Sequence, residues 1–152
     1  MGQGIEHLLK DKKRIALDTM VFIYHFENNP QYNKTTSWIL KQIELGEKTG
    51  VTSTLTLLEI LVKPLQLFKN DIVETYQFAL TNFPNLTLSP LSTSIARKAA
   101  ELRAKYNLPT PDSIQIATAI IEKTDLFLTN DNSLTKVDEI QVLTIDEIEN
   151  SD

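Results

Sequence analysis

Asp18, Glu59, Asp112 and Asp131 each fall where an apolar run ends or is interrupted. Asp18 closes Arg14-Ile-Ala-Leu17, and Glu59 separates Leu55-Thr-Leu-Leu58 from Ile60-Leu-Val62. Asp112 opens the run Ile114 to Ile121, and Asp131 follows Leu126-Phe-Leu-Thr-Asn130. Carboxylates brought within ~5 Å of one another repel by about 3 kcal/mol per pair at an effective dielectric near ~20. Such a cluster either keeps protons through raised pKa values or binds a divalent cation through hard oxygen ligands. The second outcome points to metal-dependent phosphoryl chemistry.

The elements that must position these acids follow from apolar runs alternating with helical patterns, which reads as α/β with a mainly parallel sheet. Strands are expected at Arg14 to Leu17, Gly50 to Ser53, Leu86 to Leu88, Leu126 to Leu128 and Gln141 to Leu143. Helices are expected at Met20 to Glu27, Tyr32 to Leu45, Leu55 to Val62 (ended by Pro64), Leu67 to Thr81 and Ser92 to Tyr106. Two more are expected, at Pro111 to Lys123 with Thr110 as N-cap, and as a last turn at Ile145 to Glu149. This order puts Asp18 and Asp131 just past strand C-termini. Glu59 and Asp112 fall in the opening turns of helices leaving the same edge, where open parallel sheets gather ligands.

Each acid also has a purely structural reading. Asp18 suits an N-cap, and Asp112 suits the first turn of any helix. Asp131 within Thr129-Asn-Asp-Asn132 suits a turn. Glu59 belongs to a polar stripe, Thr52, Thr56, Glu59 and Lys63, whose bland form is a solvated face with a Glu59–Lys63 pair. In the functional form the stripe faces the pocket and Lys63 approaches a phosphate. Other chemistries lack their residues. Four glycines form no phosphate loop or dinucleotide fingerprint. His7 and His25 do not pair at metal-ligand spacing, and His25 reads as a helix-surface or interface residue. Met20 stands where an Asp-x-Asp phosphatase needs its second acid, and no Gly-x-Ser-x-Gly elbow is present. Tyr24, Phe26, Phe68, Tyr76, Phe78 and Phe83 read as core or interface, and Trp38 as core.

The chain of 152 residues suits a single domain over 1–152, with its core at about 14–143. Without cysteine it has neither disulfides nor thiolate metal sites, in keeping with a reducing cytoplasm. The polar leader Met1 to Arg14 has no apolar signal core, and Glu6 stands where a myristoylation signal needs Ser or Thr. No stretch approaches the ~20 apolar residues of a membrane span. The net charge of −5 opposes non-specific coating of a polyanion. Much of the acidity lies in the tail (Asp138, Glu139, Asp146, Glu147, Glu149, Asp152), which can sit away from a site, and divalent ions would invert the sign at the cluster.

Four segments together resemble a PIN domain, and most of all the small stand-alone PIN proteins of the VapC toxin type. They are Ile15-Ala-Leu-Asp-Thr-Met-Val-Phe-Ile-Tyr24, Thr52-Ser-Thr-Leu-Thr-Leu-Leu-Glu-Ile60, Leu108-Pro-Thr-Pro-Asp-Ser-Ile-Gln-Ile-Ala-Thr-Ala119 and Phe127-Leu-Thr-Asn-Asp131. The resemblance covers about Arg14 to Leu143. It departs at Leu134, where the family often has an aromatic. It implies a three-layer α/β/α domain around a mainly parallel sheet of about five strands. It also implies a Mg²⁺- or Mn²⁺-dependent endoribonuclease with one or two ions. The family's catalytic and metal-binding acids carry over onto Asp18, Glu59, Asp112 and Asp131, with Thr129 and Asn130 as auxiliaries. Lys63 is a substrate-binding candidate, and Lys69, Arg97, Lys98, Arg103 and Lys105 are weaker candidates for an RNA groove. Implied partners are RNA, a second copy in a homodimer, and a small antitoxin gripping a clip at about Leu55 to Thr81. Two rival expectations stand beside this one: an RNA-processing PIN nuclease with no antitoxin, and a non-catalytic PIN scaffold.

Overall fold

The computed structural model describes residues 2–151. Met1 of the leader and Asp152 of the acidic tail lie outside the described residues. Five strands, β1 (Arg14–Leu17), β2 (Thr49–Ser53), β3 (Leu86–Ser89), β4 (Leu126–Thr129) and β5 (Val142–Thr144), form one sheet in the order β3-β2-β1-β4-β5. Every neighbouring pair is parallel. The helices are α1 (Gly2–Leu9), α2 (Thr19–Phe26), α3 (Asn33–Glu44), α4 (Thr54–Gln66), α5 (Asn70–Thr81), α6 (Thr93–Tyr106), α7 (Thr110–Ile121) and α8 (Ile145–Glu149). A short 3₁₀ helix, Asn132–Lys136, follows β4.

The period-two geometry of a strand sends alternate side chains to opposite faces, and both faces here are apolar. Ile15 and Leu17 of β1, with Leu126 and Leu128 of β4, join a core that includes Val21 and Phe22 of α2, Ile39 and Ile43 of α3, and Ile145 and Ile148 of α8. Ala16 and Phe127 turn the other way, onto Ile95 and Leu102 of α6 and Ile116 of α7. The result is the three-layer α/β/α arrangement. Leu134, at the position where the resemblance departs, is fully buried in the second core. At Gly50 of β2 an added Cβ would come within 2.9 Å of Ile43 Cδ1 and 3.0 Å of Leu86 Cδ1, so α3 and β3 close on bare backbone. Among the described residues, no helix is long and apolar enough to cross a membrane.

Three local expectations are corrected. Helix α4 runs through buried Pro64 to Gln66, and the break lies later. Phe68 takes the left-handed conformation (φ 53°), its N–H donates to Leu65 O, and Lys69 N donates to Pro64 O. That pair of bonds is a Schellman closure, with phenylalanine where glycine is usual. Thr110 is the first residue of α7 and extended Pro109 its N-cap, and the Thr110 hydroxyl accepts from Arg103 Nη1 at 2.9 Å. The polar leader contains helix α1, which buries Ile5 and Leu9.

Candidate functional site

The chain builds outward from β1 to β3 and then returns to β4 on the other flank of β1. The sheet order therefore reverses between β1 and β4, the place where doubly wound sheets open a crevice. The bond from Asp18 N to Leu128 O (2.9 Å) carries the ladder one residue past β1 and sets Asp18 at that mouth. Its side chain caps α2 by accepting from Thr19 N at 2.8 Å. The capping reading of Asp18 is therefore true of one of its oxygens. The other, Oδ2, accepts from the Thr129 hydroxyl at 2.7 Å. Thr129, fully buried at the end of β4, also accepts from Asp131 N at 3.1 Å. One threonine thus ties the acids from β1 and β4 together.

A cavity of about 360 Å³ opens here, and Asp18, Glu59, Asp112 and Asp131 all line it. They arrive from four separate parts of the chain: the end of β1, the second turn of α4, the first turn of α7 and the turn after β4. Among the described residues, no Lys, Arg or His lines this cavity. The electrostatic result is visible in the acids. Burial pushes Asp18 from the ordinary 3.8 up to about 6, against the hydrogen bonds from Thr129 and Thr19 and with smaller upward pushes from Asp112 and Glu59. Asp112 is also raised, first by burial and then by the charges of Asp131 and Glu59. Each of the four acids thus acts on another across the cavity.

As they stand, no three acidic or histidine side chains among the described residues form a ready-made ligand set for a metal ion. Glu59 Oε1 accepts from the Thr19 hydroxyl at 2.6 Å, and Asp131 Oδ1 is turned to Ser133 N and Oγ at 3.0 and 2.6 Å. The turn reading of Asp131 therefore also describes one of its oxygens. The ligand atoms on offer are all oxygen and carry uncompensated negative charge, which fits a hard divalent ion.

The remaining candidates divide. Asn130 lines the cavity, but its amide is committed to the fold, donating to Tyr24 OH at 3.2 Å and accepting from Asp146 N at 3.1 Å. Part of the acidic tail thereby reaches the rim. Lys63 does not reach the cavity. It pairs with Glu27 at 3.4 Å beside a neighbouring hollow shared with Lys69, so the expected Glu59–Lys63 pair is not made. The cations of α6 are also engaged: Lys98 with Glu139 at 2.6 Å, Lys105 with Asp138 at 3.9 Å, and Arg97 with Glu101 at 3.3 Å. Arg103 Nε donates to Leu108 O at 2.8 Å. His25 lies half-buried between α2 and α3, with Nδ1 3.0 Å from Ser37 Oγ, and burial lowers its pKa. Thr56, read from the sequence as part of the polar stripe, joins Thr19 and Gln115, which the sequence does not single out as site residues, in a buried polar wall behind Glu59. The available signal was Gln115 three residues after Asp112, on one helix face.

A family model described as PIN domain matches residues 15–140. Three solved structures are similar. A toxin–antitoxin complex from Klebsiella pneumoniae has 21% identity over 86% of this chain and 97% of that one, with a TM-score of 0.67. VapBC2 from Rickettsia felis, bound to a DNA fragment from its promoter, has 14% identity over 86% and 98%, with a TM-score of 0.70. FitAcB from Neisseria gonorrhoeae has 20% identity over 86% and 97%, with a TM-score of 0.65. At these identities the likeness is one of fold. Among curated proteins, no sequence matches the chain.

Proposed function

Because the chain belongs to the PIN domain family, we propose that it is a divalent-metal-dependent endoribonuclease acting as the toxin of a toxin–antitoxin pair in the cytoplasm. The observation that carries this reading is the convergence of four acids from four elements on one cavity that no basic side chain lines among the described residues. A stable fold gains nothing from that arrangement, since burial and mutual repulsion hold Asp18 and Asp112 above their ordinary pKa. A bound Mg²⁺ or Mn²⁺ would supply polarisation of the phosphate and neutralisation of charge during in-line displacement.

In this reading Asp18, Glu59 and Asp112 hold the ion. Thr129 fixes Asp18 through the bond to Oδ2, so the carboxylate keeps its aim as the site fills. Asp131 leaves its 3₁₀ turn to orient the attacking water. RNA binds at this cavity, whose lining also includes Met20 and Tyr24. The antitoxin grips the α4–α5 hairpin, which presents Leu58, Val62, Leu65, Phe68 and Phe78 to solvent, with Phe68 89% exposed. The toxin–antitoxin complex among the similar folds supports a partner of this kind. A homodimer would draw on the same supply of exposed apolar surface.

The test is cleavage of RNA with Mn²⁺, Mg²⁺ or EDTA, by the parent chain and by Asp112→Asn. Metal-dependent cleavage by the parent alone is the expected result. Equal activity in the two proteins, or none in the parent under any ion, removes the assignment. Growth arrest on expression, relieved by a small cognate protein, separates the toxin from an RNA-processing enzyme.

A further inference from the structure

Four acids account for the front of the cavity but not for the amide behind it. Gln115 is 3% exposed and sits in α7 beside Ile116 and Ala117, where an apolar side chain would fill the space. A buried amide needs partners for two donors and an acceptor. The Ser53 N–H, 3.5 Å from Oε1, identifies which end of the amide is oxygen. Nε2 then faces two hydroxyls, Thr56 Oγ1 at 2.9 Å and Thr19 Oγ1 at 3.2 Å.

A proton count gives this cluster a direction. Each threonine has one hydroxyl proton to give. Thr52 donates to Leu17 O at 2.7 Å, so its 2.7 Å contact with Thr56 is filled by the Thr56 proton. Thr19 donates to Glu59 Oε1 at 2.6 Å. The two amide protons of Gln115 occupy the acceptor sides of Thr19 and Thr56. The 3.1 Å contact between those threonines is left as oxygen against oxygen. The Glu59 carboxylate can only accept, so the Thr19 proton points to it, and the Gln115 amide proton fills one of the lone pairs that Thr19 Oγ1 keeps on its other side.

We propose that Gln115 is a positioning residue whose amide orients the Thr19 hydroxyl toward Glu59 and so holds that carboxylate in place for a divalent ion. This rests on the cavity being the metal-dependent site argued above. Because Asp112 and Gln115 share one face of α7, the same helix supplies one acid and sets the aim of another.

The test begins with Mn²⁺ binding to the purified chain, followed by calorimetry and checked against circular dichroism of each variant. Gln115→Met keeps the length and removes both donors. It weakens Mn²⁺ binding by about tenfold, the range seen when outer hydrogen bonds to metal ligands are lost. It lowers kcat for RNA by a similar factor and leaves KM unchanged. Gln115→Asn withdraws the amide by one methylene and gives the same result, which covers a failure of the first variant to fold. Thr19→Val cuts the relay at its last link, so adding Gln115→Met to it weakens binding by less than about twofold more. If the parent binds Mn²⁺ and cleaves while both Gln115 variants match it, the positioning role is overturned and the nuclease reading survives. Losses that simply multiply in the double variant overturn it too, since they describe packing. A parent that neither binds nor cleaves overturns the nuclease reading and this inference together.

Discussion

The two ends of the sheet treat charge in opposite ways. At the N-terminal end of the strands Asp125, Arg14 and Lys48 each have partners. Asp125 Oδ2 accepts from Lys13 N at 2.9 Å and Arg14 N at 3.0 Å, bonds that hold its carboxyl below the usual range. Arg14 pairs with Glu122 at 3.0 Å. Lys48, 8% exposed, donates to Leu9 O and Lys12 O at 2.6 Å each, closing the C-terminal end of α1. At the C-terminal end, Asp18 and Asp112 are pushed upward and lack a cation across the cavity. The bonds to Asp125 favour its charge in the folded chain, while burial and crowding disfavour the charges of Asp18 and Asp112. Charge kept where it costs stability is the physical signature of a site waiting for something positive.

That contrast can be broken at either end. Asp112→Asn has the largest expected effect: RNA cleavage falls by about a hundredfold or more, since even outer-shell losses at metal sites reach ~10–100-fold. Its circular dichroism spectrum stays that of the parent. Mn²⁺ at a hundred times its dissociation constant stabilises the parent by ~2.7 kcal/mol. A thermal melt shows this as a rise in Tm that Asp112→Asn lacks. Lys48→Met acts at the other end. It strands two carbonyls at a cost of ~1–3 kcal/mol, lowers Tm in the melt, and leaves the Mn²⁺-dependent increment intact.

Acidity gives a subtler distinction. In the folded chain Asp18 keeps its proton up to about pH 6, against 3.8 ordinarily. Between these values the native state holds a proton that the unfolded state has released. The contribution of Asp18 is therefore fully present below pH 3.8 and is lost as pH rises through about 6. Chemical denaturation of the metal-free protein across this window shows the decline, and Asp18→Asn reduces it, leaving the share of Asp112. The smallest effect is at the hairpin tip. Phe68→Gly relieves a left-handed non-glycine residue and raises stability by about 1 kcal/mol, less the unfolded-state freedom that glycine adds.

Much of this is legible in the sequence. The β1 strand and the α8 turn stand where their apolar runs put them, and the other strands differ by a residue or two. The four acids could be placed at one edge because parallel βα units force strand C-termini to a common side. What escaped reading has a common cause, which is that tertiary partners overrode local signals. Pro64 looked like a stop, but a closure three residues later, made by Lys69 N on Pro64 O, ends the helix instead. Thr110 looked like a cap, yet it opens the helix and its hydroxyl accepts from Arg103 of the preceding helix. Lys63 shares a stripe with Glu59, yet Glu27 from α2 decides where it turns. The Gln115 relay spans four elements, and no spacing along a single one of them encodes it.

The neighbour order β2-β1-β4 has a consequence for the birth of the chain. Thr129, which fastens Asp18, is synthesised 111 residues after it. At ~5–20 residues per second that is an interval of about 6 to 22 s. Throughout it, the middle strand has an empty flank and the last acid does not yet exist. Under the proposed nuclease reading, the site of a nascent copy is therefore incomplete until Asp131 has been made.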